Sequence, residues 1–190
     1  MPWLTVAIVA PLLLAAIMPL LPARESHLAQ VLALTGTAIS AAALIATWTR
    51  FDPSEGMQLV EEATWVPSLD VAWRVGVDGM SLVLALLTVV LFGASAAYGV
   101  GSRPMTRAAA AMLLLLAGAT LAFFLAEDFF LFYIAFDVTL VAMYFLIALW
   151  GEERRRYAAL KFFLYTLIAL CPCCSASSRC SWRPSRRRST

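Results

Sequence analysis

Apolar residues fill this chain in five long runs separated by short polar stretches. In a helix, about 20 apolar residues cover a hydrocarbon core of ~30 Å. The runs fall at residues 3–21, 28–49, 79–101, 108–126 and 129–150. Backbone groups in lipid must pair within their own segment, which selects helices over open strands. The pattern therefore predicts an all-α, polytopic transmembrane helix bundle with five full spans. The first run has no Lys or Arg before Arg24, so it lacks the positive leader of a secretory signal and reads as a retained helix. Residues 50–78 form the sizeable polar connection; Pro53, Gly56, Pro67 and Gly76 predict short irregular structure there.

A sixth apolar stretch, residues 158–170, holds 13 residues and is too short to cross. It reads as a truncated helix that closes a membrane region covering residues 1–170. From Cys171 the composition changes abruptly, and fifteen of the last twenty residues are Cys, Ser or Arg. Three readings of residues 171–190 stand side by side. The C-x-C-C-x5-C spacing lacks the paired C-x-x-C of a zinc module, which argues against a metal site. Arg183 to Arg188 would suit a disordered tail drawn to anionic lipid. The break in composition favours a shifted reading frame.

Composition supports the membrane reading, with 62% hydrophobic and 14% charged residues. All four cysteines lie after Leu170, so no disulfide framework is expected in the body. Within the otherwise charge-free run from Phe129 to Gly151 stands one carboxylate, Asp137. Tyr133, Asp137 and Tyr144 are spaced i, i+4 and i+11, nearly one line along a helix. A buried carboxylate resists ionisation and a nearby cation restores it, so Asp137 suits a proton relay. The alternative is a polar contact that holds helices together. Lys161, the sole lysine, has Tyr165 one turn later. It suits proton transfer if buried, and snorkelling to the headgroups if not. Asp78 and Asp128 read as structural caps of the third and fifth helices, Asp78 over Met80 and Ser81. His27 reads as a solvated loop residue. The body has no G-x-G-x-x-G, P-loop, H-E-x-x-H or haem-type Cys pair, so no cofactor or metal is expected on this chain.

Three segments, RVGVDGMSLVLALLTVVL (Arg74 to Leu91), FFLAEDFFLFYIAFDVTLVAMYFLIALWG (Phe123 to Gly151) and YAALKFFLYT (Tyr157 to Thr166), resemble the antiporter-like subunits of respiratory NADH:quinone oxidoreductase, chain M above all. The resemblance implies a translocase subunit in which an acid at the Asp137 position and a lysine at the Lys161 position serve proton half-channels. It also implies that NADH, FMN, iron–sulfur clusters and quinone sit on partner subunits. Other membrane subunits of the complex and the lipid bilayer would be the partners, with no nucleic acid, in a bacterial-type inner membrane. Family members commonly carry F-W-E-x-M-L-x-P-M-Y-F where this chain reads AFDVTLVAMYF. Asp137 thus replaces Glu, Phe136 stands where Trp is common, and Ala142 stands where Pro is expected. Family members also continue through many more helices, so the chain is expected to be an N-terminal piece that does not pump alone. The D-type subunit of a multi-subunit cation/proton antiporter and a non-catalytic membrane fragment are the alternatives.

Basic residues set the expected orientation. Connections on one side carry Arg24, Arg103, Arg107, Arg154, Arg155 and Arg156, whereas those on the other carry only Arg50 and Arg74 among six acids and the Glu127–Asp128 turn. The positive-inside bias places the N-terminus outside. A reporter that is active only in the cytoplasm should therefore give signal when fused after Gly151 and none when fused after Met57; the opposite result reverses the topology.

Overall fold

The structure, a computed structural model, describes residues 3–20, 26–52, 57–66, 71–101 and 106–181. Arg24, Arg103 and residues 182–190 of the tail lie outside the described residues. Helix α1 (Trp3–Ile17) runs into a short 3-10 turn, and α2 spans Ser26–Trp48. Two strands follow, β1 (Gln58–Val66) and β2 (Val71–Val77). The remaining helices are α3 (Gly79–Gly101), α4 (Arg107–Leu125), α5 (Phe129–Trp150) and α6 (Arg155–Ser181). Among the described residues, α1 (with its 3-10 turn) to α5 are long and apolar enough to cross a membrane, and they coincide with the five predicted runs to within a few residues. The chain divides into two compact units, residues 1–143 and 144–190.

Two expectations are corrected. The connection at 50–78 is not irregular: β1 and β2 form an antiparallel pair, with Glu61 opposite Val75 and Glu62 opposite Arg74. The alternation in VAWRVGV explains it, since Val75 and Val77 turn inward and are fully buried while Arg74 turns out. Leu59 adopts a left-handed φ of 53° where the register shifts between Gln58 and Glu61. That bulge leaves Glu61 on the same face as Val75. The sixth helix also does not stop at Leu170 but continues to Ser181. Ser, Ala, Cys and Arg all tolerate helical dihedrals, so loss of apolarity ends a span without ending a helix.

In the first unit, α4 is the hub. Its span is 56% buried, against 28% for α3, because it packs on α1, α2 and α3 at once. Small residues allow this closeness. A Cβ on Gly118 of α4 would sit 2.7 Å from Leu12 Cγ of α1, and one on Gly36 of α2 would sit 2.8 Å from a Leu114 methyl of α4.

Pro11 lies buried inside α1. It has no N–H to give the carbonyl of Ala7, four residues earlier. Ser40 of α2, itself buried, donates its hydroxyl to that carbonyl at 2.8 Å. A backbone acceptor that its own helix leaves unpaired in lipid is thus satisfied from the neighbouring helix. At the other end of the unit, Glu61 of β1 closes the start of α1. Its carboxylate accepts from the Leu4 N–H at 3.1 Å, the Thr5 N–H at 2.9 Å and the Thr5 hydroxyl at 2.6 Å. Trp73 of β2 donates its indole N–H to the same hydroxyl at 3.2 Å. The pairing extends past β2, where Val75 bridges to Ala126 and the Glu127 N–H donates to the Arg74 carbonyl at 3.1 Å. The Glu127–Asp128 turn is therefore tied to the sheet rather than simply solvated.

Ser40→Ala should destabilise the purified chain by about 1–3 kcal/mol, the cost of an orphaned buried acceptor. Adding Pro11→Ala should return most of that loss by restoring the missing N–H; thermal unfolding in detergent measures both, and additive losses would contradict the pairing. Glu61→Ala should cost about 1–2 kcal/mol in the same assay through the uncapped α1 terminus.

Candidate functional site

Helix α5 begins at a capped turn. Asp128 accepts from the Phe130 N–H at 3.2 Å. Asp78 does not reach Met80 or Ser81 as expected; its Oδ1 accepts from the Gly79 N–H at 2.6 Å. That geometry still places an acid at the α3 terminus, where the helix dipole favours negative charge.

Asp137 lies near the middle of α5 and is half-buried. The helix buries Leu131, Ala135 and Ala142 along one face, and Leu140 on the side that also bears Tyr133 and Asp137. Tyr133 and Asp137 fall on roughly the opposite face, at about 100° per residue. Among the described residues, no hydrogen bond or ion pair reaches the Asp137 carboxylate. The acid thus lies on a partly covered side of α5, and among the described residues no cation pairs with it. On the packed side, Phe123 of α4 meets Phe132 and Phe136 of α5 with ring centroids 4.6 and 5.7 Å apart. An open apolar groove of about 430 Å³ runs beside them, walled by α3, α4 and α5. Its threonines offer no donor, since Thr88, Thr120 and Thr139 each give their proton to a carbonyl of their own helix.

Tyr144 and Lys161 belong to the second unit. The Tyr144 ring packs against Phe163 of α6, centroids 5.6 Å apart. Lys161 is exposed on α6, with its Nζ 6.0 Å from the Tyr157 ring centre and 5.8 Å from that of Tyr165. Two aromatic faces, one turn before and one turn after, hold the ammonium by cation–π attraction. The spacing of four residues that marks Tyr165 in the sequence marks Tyr157 equally. Arg155 closes the end of α5 by donating to the Leu149 carbonyl at 3.0 Å. Among the described residues, no group of three His, Cys, Asp or Glu side chains could hold a metal ion. The side chains of Cys171, Cys173, Cys174 and Cys180 lie outside the described residues.

Residues 126–176, which include Asp137, Tyr144 and Lys161, match the family described as NADH:quinone oxidoreductase/Mrp antiporter, transmembrane. NAD(P)H-quinone oxidoreductase chain 4 1 of Synechococcus elongatus is 40% identical over 172 residues, which is 88% of this chain and 32% of the relative. A chain 4 3 of the same name from Picosynechococcus sp. is 41% identical over 172 residues, 88% of this chain and 31% of the relative. This chain therefore spans about a third of the length of the curated relatives it matches. Among solved structures, the Mrp complex from Dietzia sp. DQ12-45-1b shares the fold with a TM-score of 0.70 at 22% identity, covering 87% of this chain and 18% of that one. The membrane-bound sulfane sulfur reductase, an archaeal respiratory membrane complex, gives 0.71 at 17% identity, covering 93% and 28%.

Proposed function

We infer that this chain, which belongs to the antiporter-like membrane subunits of the NADH:quinone oxidoreductase and Mrp antiporter family, is the part of such a subunit that contributes an acid and a lysine to a transmembrane proton path. The observation that carries this reading is the position of the chain's mid-span carboxylate and its only lysine. Both fall inside the family-matched segment 126–176, and both lie on apolar helices. Chemically, the Asp137 carboxyl holds or releases a proton according to whether a cation stands near it. Lys161 places its Nζ between the Tyr157 and Tyr165 rings. Tyr133 and Tyr144 place phenol groups along the helix that bears the acid.

Within the described residues, Asp137 has no polar companion. The proton path is therefore completed by other parts of the subunit, and this piece does not pump by itself. In the assembled protein it sits in a bacterial-type inner membrane with its N-terminus outside. Other membrane subunits of the complex surround it, and NADH, FMN, iron–sulfur clusters and quinone are handled by partner subunits. A subunit of a cation/proton antiporter is the second reading. The family description covers both complexes, and redox subunits or small antiporter subunits among the neighbouring genes would separate them.

The test uses a full-length relative in which residues 1–170 of this chain replace the corresponding segment. Asp137→Asn in that chimera should lower proton pumping by about tenfold or more, the scale of a lost general acid–base group, while assembly is retained. Unchanged pumping would leave Asp137 as a packing residue. Proton flux through the present chain reconstituted alone would also overturn the reading.

A further inference from the structure

The ends of α1 and α2 meet the β-hairpin around a pocket of about 150 Å³, lined by Trp3, Arg50, Leu59, Val60 and Glu61 among others. That is several times the ~30 Å³ share of one water molecule. Its depth is fixed by the spans: α1 begins at Trp3 and α2 ends at Trp48, so the pocket lies where the apolar core gives way to headgroups.

The polar groups around it are unequally matched. Glu61 uses both carboxylate oxygens on the first turn of α1, whose dipole offsets its charge. Arg50 is exposed, and its guanidinium stands 5.6 Å above the Trp3 ring. Among the described residues, no carboxylate pairs with it. Arg74, on the same side of the membrane, is paired with Glu62 at 3.1 Å. The Trp3 indole N–H is buried and finds no acceptor. Thus one uncompensated cation lines a small pocket at headgroup depth, and one unused donor lies buried behind the Trp3 ring that walls it. Leu59 and Val60, both more than 40% exposed, extend its apolar rim.

We propose that this pocket binds the phosphate of an anionic phospholipid. A phosphate oxygen would meet the Arg50 guanidinium, a second would accept from the Trp3 N–H once the indole turns that buried donor toward the pocket, and the start of the acyl chains would lie along Leu59 and Val60. The assignment is independent of the proton path and does not rest on it.

The test takes the full chain purified in detergent and incubated with equal amounts of phosphatidylglycerol and phosphatidylcholine. Retained lipid is counted by native mass spectrometry. Phosphatidylglycerol should be retained in preference, and Arg50→Gln should lower that preference about tenfold, the scale of one charge-assisted contact. Trp3→Phe, which keeps the ring and removes the donor, should lower it as well. Arg74→Gln should leave it unchanged. Equal retention of the two lipids, an unaltered preference in Arg50→Gln, an equal loss in Arg74→Gln, or displacement by inorganic phosphate at matching concentration would each overturn the proposal.

Discussion

Every peptide group at bilayer depth needs a partner from within the protein, and that demand organises the first unit. A helix meets it unaided except at its ends and at proline. In α1 both exceptions occur. Pro11 leaves the Ala7 carbonyl open and Ser40 fills it from α2. The first turn leaves amides open and Glu61 fills them from β1. These two contacts tie α1 to α2 near mid-span and to β1 at its first turn. Around them, the glycines at positions 36 and 118 let α2 and α4 approach within side-chain contact. The hub role of α4 follows from that approach.

The spans were legible in the sequence because hydropathy over a membrane's thickness is a long, redundant signal. The hairpin was not, although Val71, Trp73, Val75 and Val77 alternate with smaller or polar residues as a strand should. Prolines and glycines in the flanks outweighed that short alternation. The Ser40 contact lay beyond reach for another reason. Its partners are 33 residues apart, and no local spacing connects a serine in one apolar run to a proline in another. The end of α6 shows the converse: the change at Cys171 marks where apolarity ends, while the backbone continues as helix to Ser181.

The candidate site was half legible. Asp137 and Lys161 stand out as rare charges in apolar runs, and helical spacing places Tyr133 beside the acid. What spacing cannot give is the environment of each charge. Asp137 is half-buried on the side of α5 that also bears Leu140, while Lys161 has rings on both sides. The chain covers about a third of its relatives, so groups that would face Asp137 in a whole subunit need not be among its residues.

The cap on α1 also has a bearing on how the protein is made. Synthesis runs from the N-terminus, so the first turn of α1 leaves the ribosome more than fifty residues ahead of Glu61. During that interval its leading amides have only water or headgroups to bond with. The contact of α1 with α2 can form before that, whereas its cap forms only once the hairpin has been made. The corner of the bundle made earliest is the one finished late.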